Sequence, residues 1–108
     1  MYRRILGLAF AAERMAAHLR AAGYSDADIT LFSVPDHPKE GGMVAILQGT
    51  SKSTKPMLLL GHLDVLEAKR ADWTRDPFTL LDENGYFHAR GSSDMKALDA
   101  TWAYADAG

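Results

Sequence analysis

A histidine and an aspartate that follow an apolar run are the residues of this chain best suited to chemistry. Leu58 to Leu60 lead into Gly61, and His62 and Asp64 come directly after it. In open α/β sheets, ligands bind beyond the carboxyl ends of strands. Imidazole is a common zinc ligand, and a neighbouring carboxylate can orient the ring through its other nitrogen. This spacing is compatible with a metal site at the end of a buried strand.

A further carboxylate, Asp94, lies downstream in the stretch 91–96, between a predicted hairpin and a predicted helix. It would place a second oxygen ligand at another strand-to-helix junction. One His-x-Asp pattern is weak evidence by itself, because the chain contains four His and ten Asp. An ordinary strand end is therefore the alternative to a metal site, and the second junction is what favours the metal.

Composition limits the classes of function. A chain of 108 residues that is 47% hydrophobic can form one domain with a modest core. The net charge of −2 gives no electrostatic case for nucleic-acid binding. Because there is no Cys, disulfides, thiolate ligands and a Cys nucleophile are excluded, and any metal must use His and carboxylates. No apolar run approaches the roughly 20 residues of a membrane span.

The elements that would position these residues indicate the α/β class, with one mixed sheet and flanking helices. Residues 57–61, the most apolar run, would form the central strand. The segment 35–42 has the Pro and Gly content of a loop, and Asn84-Gly85 predicts a tight hairpin turn. The predicted helices are 2–22, ending at Gly23, and 95–106, and the predicted strands are 29–34, 43–48, 57–61 and 86–89.

The start of the chain has two interpretations. Tyr2-Arg3-Arg4 and the apolar stretch 5–12 imitate a short signal peptide. Ile5 and Leu8 also begin a helical apolar spacing that continues past residue 12, which favours an amphipathic helix. We expect a cytoplasmic protein, although the alternative interpretation leaves export open.

The order of the motifs resembles the M20 family of metallopeptidases, which includes dizinc carboxypeptidases, dipeptidases, N-acyl amino acid deacylases and succinyl-diaminopimelate desuccinylases. The resemblance covers roughly residues 12–106. It rests on the apolar strand with His62-x-Asp64, on Trp73, on Asp76-Pro77-Phe78, on the Asn-Gly hairpin and on the stretch 90–96.

The resemblance implies a role for each matching residue. His62 would bind one zinc ion, Asp94 would bridge two, and Asp64 would be the catalytic-site carboxylate that orients the His62 ring. It also implies a cis peptide after Asp94. Trp73 and Phe78 would pack the site loop, and Lys96 would be a surface charge or a charge close to the ligands.

Two departures from the family pattern limit the functional prediction. The usual proline after His-x-Asp-Val is absent, since Val65 is followed by Leu66 and Glu67, and we interpret Glu67 as a solvated loop charge. The family also supplies a Glu-Glu pair after the bridging Asp, and none of the four Glu here are adjacent. The chain therefore resembles an amino-terminal portion, residues 1–108, of a catalytic domain whose dimerisation or lid domain is absent.

The expected function is metal-dependent hydrolysis of peptide or amide bonds, in a truncated form that is inactive alone. The alternative is a non-catalytic α/β fragment that binds metal weakly or not at all. The cofactor implied by the family is a pair of zinc ions. The implied partners are a peptide or N-acyl amino acid substrate and a second copy in a homo-oligomer, with no nucleic acid and no membrane.

Overall fold

The structure, a computed structural model, describes residues 7–105. The predicted helical residues 2–6 and 106 lie outside this range. The described chain divides into two compact units, of which the second comprises Gly61–Thr101 and the first the remaining described residues. The elements are α1 (Leu8–Ala21), β1 (Ile29–Val34), β2 (His37–Ala45), β3 (Leu81–Glu83), β4 (Tyr86–His88) and α2 (Ala97–Ala105).

In the first unit, α1 packs on the antiparallel pair formed by β1 and β2. Ala16 and Leu19 from the helix meet Ile29 from β1, and all three are buried. The partly buried side chains of this small cluster are Tyr24, Met43, Ala45 and Ala103. The helix buries mainly alanines, so it lies close to the hairpin but removes little apolar area from water.

Gly23 ends α1, as the sequence predicts. Its φ of 104° is a conformation that residues with a Cβ rarely adopt. The backbone N–H of Gly23 donates to Arg20, and that of Tyr24 donates to Leu19, which satisfies carbonyls that the helix leaves free. This is the Schellman arrangement of a helix C-terminus.

The prediction of a loop at residues 35–42 is wrong for most of these residues. β2 begins at His37, and Val34 pairs with His37 across a turn of two residues, Pro35 and Asp36. Proline fixes its own φ near −65°, and Asp36 adopts a φ of 66°, the combination that a type II turn uses. The Pro and Asp therefore mark a tight turn between strands, and the prediction extended the loop too far.

In the second unit, the Asn84-Gly85 hairpin is confirmed. β3 and β4 pair antiparallel, with Leu81 opposite His88 and Glu83 opposite Tyr86. Asn84 and Gly85 have φ values of 54° and 79°, as a type I′ turn requires at both central positions. This turn matches the twist of the flanking strands, so a short local signal fixes the register.

The α/β class is confirmed, but the predicted single mixed sheet is not formed by the described residues. They contain two separate two-stranded antiparallel sheets. Residues 57–61, the predicted central strand, have no regular structure, and the side chains of Met57 and Leu58 are at least 80% exposed. A strand requires hydrogen bonds to a neighbouring strand, and no described segment pairs with this run.

Among the described residues, no helix combines the length and the apolarity that crossing a membrane requires.

Candidate metal centre

His62 and Asp94, the two predicted metal ligands, lie side by side in the second unit. The imidazole Nε2 of His62 is 3.1 Å from Oδ1 of Asp94, although the residues are 32 positions apart. Their side chains are 47% and 83% exposed, so a small ligand can reach both from solvent. The structure brings the two predicted donors together, and their role as metal ligands stays a prediction.

Asp64 contacts the other ring nitrogen of His62. The Nδ1 atom is 3.2 Å from the Asp64 backbone carbonyl and also 3.2 Å from its carboxylate Oδ1. Both oxygens are acceptors, so the contact favours a proton on Nδ1. Nε2, which faces Asp94, is then the atom that can offer a lone pair. This is the arrangement by which a carboxylate orients a metal-binding imidazole.

These contacts raise the pKa of His62 above its ordinary value of 6.5. The largest cause is the hydrogen bond from the ring to the Asp64 carbonyl, which stabilises the imidazolium. The negative charges of Asp64 and Asp94 and the hydrogen bond to Asp94 act in the same direction. Desolvation of the ring opposes them. A proton therefore competes with any metal for Nε2.

Asp94 lies in an irregular segment, Ser92–Lys96, that joins the hairpin to α2. The backbone of Asp94 has φ −121° and ψ 95°, which is extended rather than helical, and the Asp94–Met95 peptide bond is cis, as the resemblance implies. The segment follows the buried Gly91, whose φ is 84°. A Cβ at Gly91 would lie 2.5 Å from Cγ1 of Val65, so glycine lets this segment approach the His62 loop.

Two contacts that the sequence did not predict also connect this segment to the His62 loop. The Lys96 ammonium donates to the carbonyl of Leu63 at 2.8 Å. The backbone N–H of His62 donates to the sulfur of Met95 at 3.4 Å. The predicted interpretation of Lys96 as a charge close to the ligands fits the first contact. The contact of Met95 could not be predicted, because a methionine whose sulfur accepts a hydrogen bond looks in the sequence like any other apolar residue.

Asp99 is a further residue that sequence reasoning missed. It is only 8% exposed, and its Oδ2 is buried without a hydrogen-bond partner among the described residues. Burial raises the pKa of Asp99, while the nearby positive charges of His62 and Lys96 lower it. An aspartate within the otherwise apolar run 97–100 was the signal available in the sequence.

The loop between the two site segments contains the predicted aromatic residues, with different outcomes. Trp73 is half-buried, and the guanidinium of Arg90 lies 5.2 Å from its ring centroid. Pro77 is fully buried, and its carbonyl accepts from the Arg90 backbone N–H at 2.7 Å. Phe78 is 58% exposed, so the prediction that it packs the loop is wrong. The turn is held instead by Asp76, whose Oδ1 accepts from the Phe78 N–H at 2.9 Å.

The remaining histidines have other surroundings. His37 and His88 are exposed strand residues, and the His18 ring packs against Tyr104 with centroids 6.3 Å apart. Glu67 is exposed, as predicted. Within residues 7–105, no group of three or more His, Cys, Asp or Glu side chains is placed to hold a metal ion. The candidate centre therefore consists of two donors, His62 and Asp94, with Asp64 behind the ring.

Comparison with known proteins connects this geometry to a family. Residues 58–107 match the model described as peptidase family M20/M25/M40. The matched range contains His62, Asp64 and Asp94. This segment of the chain is similar to peptidase family M20. Residues 12–57, over which the sequence also suggested a resemblance, lie outside the family match.

Curated relatives of the chain include several enzymes. Acetylornithine deacetylase of Proteus mirabilis (strain HI4320) is 35% identical over 63 residues, which are 58% of this chain and 16% of that protein. N-formyl-4-amino-5-aminomethyl-2-methylpyrimidine deformylase of Bacillus subtilis (strain 168) is 39% identical over 62 residues, 56% of this chain and 15% of that protein. Aminoacylase-1 of Mus musculus is 43% identical over 51 residues, 46% of this chain and 12% of that protein. The chain thus spans less than a fifth of the length of these relatives. No solved structure matches it significantly.

Proposed function

We propose that this chain carries part of the metal centre of a zinc-dependent hydrolase of amide bonds. The observation that carries the proposal is the 3.1 Å approach of His62 Nε2 to Asp94 Oδ1. The names of the relatives describe a deacetylase, a deformylase and an aminoacylase. The substrate class that we propose is accordingly an N-acyl amino compound or a peptide.

The donor pair fits zinc. Two atoms that bind one zinc ion at about 2.0–2.1 Å in tetrahedral geometry lie about 3.3 Å apart, close to the observed separation. No described residue forms a hydrogen bond to the second oxygen of Asp94, which leaves it available to a second ion. Asp94 would then hold a second ion through that oxygen, as a two-metal hydrolytic site requires.

The residues of this chain would bind and orient, and the metal would supply the reactive chemistry. When bound, zinc lowers the pKa of a water molecule and polarises a carbonyl group. Asp64 favours the proton of His62 on Nδ1, so that Nε2 would be the nitrogen that holds the ion. Asp94 supplies negative charge that offsets the charge of the ion. Zinc takes four ligands, so the proposed centre requires donors, and a general base, beyond the two described here.

The test uses the isotope-labelled 108-residue chain and Co²⁺, a paramagnetic substitute for Zn²⁺. Broadening of amide signals in an NMR titration locates even a weakly bound ion. We expect the broadening to centre on residues 62–64 and 94–95. H62A or D94N should weaken the effect at least tenfold, since loss of a ligand costs more than loss of a supporting contact.

Matched controls are H37A and H88A, which remove exposed strand histidines and should leave the broadening in place. Zn²⁺ should displace Co²⁺ from the same residues. Broadening that centres on another histidine, or no broadening at millimolar Co²⁺, would contradict the proposal and favour the non-catalytic fragment.

A further inference from the structure

We infer that Lys96 is a positioning residue, which holds the backbone of residues 62–64 so that the His62 ring faces Asp94. The metal-binding meaning of this role rests on the proposed function, whereas the positioning itself is a property of the fold. The Lys96 ammonium lies 2.8 Å from the carbonyl oxygen of Leu63, 33 positions away in the sequence.

The position of this contact in the chain explains how it would orient the His62 ring. Leu63 lies between His62, whose ring faces Asp94, and Asp64, which contacts the back of that ring. A bond to the Leu63 carbonyl therefore fixes the middle of the three-residue segment. Met95 adds a second attachment through its sulfur, which accepts from the His62 N–H at 3.4 Å. Both attachments connect the two segments that carry the donor pair.

Charge favours the ammonium at this position. The bond from Lys96 to a carbonyl is charge-assisted, and such bonds are stronger than bonds between neutral groups. Asp99 follows three positions later, is buried, and lies within electrostatic reach of both Lys96 and His62. A negative charge on Asp99 would attract the ammonium, whereas burial raises the pKa of Asp99 and so disfavours that charge.

The end of the lysine side chain also lies close to Gly91. A Cβ at the buried Gly91 would lie 3.3 Å from Nζ of Lys96, as well as 2.5 Å from Val65. The end of the lysine side chain therefore lies beside the glycine as it reaches Leu63. Lys96 is exposed, so its specific acceptor, the Leu63 carbonyl, is what distinguishes it from an ordinary surface lysine.

The experiment compares K96M, which removes the hydrogen-bond donor to the Leu63 carbonyl, with K96R, which retains a cationic donor at this position. K69M is the matched control, because Lys69 is an exposed loop lysine of the same unit. NMR measures hydrogen exchange at the His62 amide and the ring ¹⁵N shifts of His62 at fixed pH, and thermal unfolding is followed in parallel. K96L, which also lacks a donor, replaces K96M if the latter lowers the Tm strongly.

We expect K96M to speed exchange at the His62 amide about three- to tenfold, the effect of losing one net hydrogen bond. The ring ¹⁵N shifts should move toward those of the exposed His37 and His88, K96R should restore most of the protection, and K69M should change nothing. Unchanged exchange and ring shifts in K96M would overturn the positioning role. Failure of K96R to restore protection would assign the effect to packing of the lysine stem and would also overturn it.

Co²⁺ titrations of the same samples separate this inference from the proposed function. Wild-type exchange in K96M with Co²⁺ still bound at His62 would refute the positioning role alone. Faster exchange in K96M with no Co²⁺ bound to the wild type would support the positioning role and refute the metal centre in this chain.

Discussion

At the scale of single residues, His62 is placed between two acceptors, and this makes it both a proton site and a candidate metal ligand. Its Nδ1 faces the Asp64 carbonyl and carboxylate, and its Nε2 faces Asp94. With a proton on each nitrogen the ring satisfies all three acceptors. With a single proton, on the Nδ1 atom that faces Asp64, the ring presents the lone pair of Nε2 beside Asp94. The pH decides which form dominates.

We predict that His62 titrates above 6.5 in the folded chain, because the Asp64 carbonyl, followed by the charges of Asp64 and Asp94, stabilises the imidazolium. The folded-state pKa is raised, so the stabilisation is fully present below the unfolded value. It is lost as the pH rises through the folded pKa. NMR titration of the His62 ring, in the folded chain and in urea, measures both values.

The D94N variant is the control for this titration. It should lower the His62 midpoint only in part, because the largest cause, the Asp64 carbonyl, remains. A folded-state midpoint at or below the value in urea would contradict the prediction. If metal binds at Nε2, its affinity should fall as the pH is lowered through the same midpoint, since the proton and the ion compete.

The donor pair could be predicted from the sequence, but its surroundings could not. His62 follows an apolar run, and Asp94 lies between a predicted hairpin and a predicted helix. The family resemblance then indicated that the two residues belong to one site. The contacts of Lys96 and Met95 are made to backbone atoms of residues 62 and 63. Backbone acceptors and donors have no signature in the sequence, so these contacts appear only when two distant segments are placed in space.

At the scale of elements, the conformation of Gly23 provides a test of how α1 ends. We predict that G23A lowers the free energy of unfolding by about 1–2 kcal/mol, the cost of placing a Cβ in a left-handed backbone. Nothing lies within 4 Å of the added carbon, so the effect would come from the φ of 104° alone. Urea denaturation followed by circular dichroism measures the change.

G49A is the matched control, since a Cβ there also meets nothing within 4 Å and Gly49 has no positive φ. That variant should be neutral or slightly stabilising, because alanine reduces the entropy of the unfolded chain. Equal effects of G23A and G49A would show that the Schellman arrangement does not stabilise the helix end.

The elements that the sequence predicted correctly are those fixed by neighbouring residues. The bounds of β1, the end of α1 at Gly23 and the Asn84-Gly85 turn each depend on a few adjacent positions. The strand predicted at residues 57–61 is wrong for the opposite reason. Their apolar side chains suit a buried strand, but a strand also requires a partner, and pairing is a non-local property that the run itself does not encode.

At the scale of the whole molecule, the share of the relatives that is matched and the number of metal donors both bear on function. The M20 family match covers residues 58–107, and the matches to three relatives cover 12–16% of those proteins. The described residues place two candidate donors together, against the four ligands of a zinc ion. Similarity to the family and a working catalytic centre are therefore separate questions for this chain.

We predict that the pure 108-residue chain hydrolyses neither dipeptides nor N-acyl amino acids above the rate of its H62A variant, even with added Zn²⁺. General acid–base catalysis contributes about 10²–10⁴-fold in rate, and no glutamate among the described residues adjoins the His62–Asp94 pair. An ion held by two protein ligands also binds weakly, so few molecules would carry it. Release of free amine from N-acetyl amino acids, measured with and without EDTA, is the assay. Hydrolysis that EDTA abolishes, and that H62A and D94N lose while H88A retains it, would overturn the prediction and would mean that residues of this chain, or of a second copy, complete the centre.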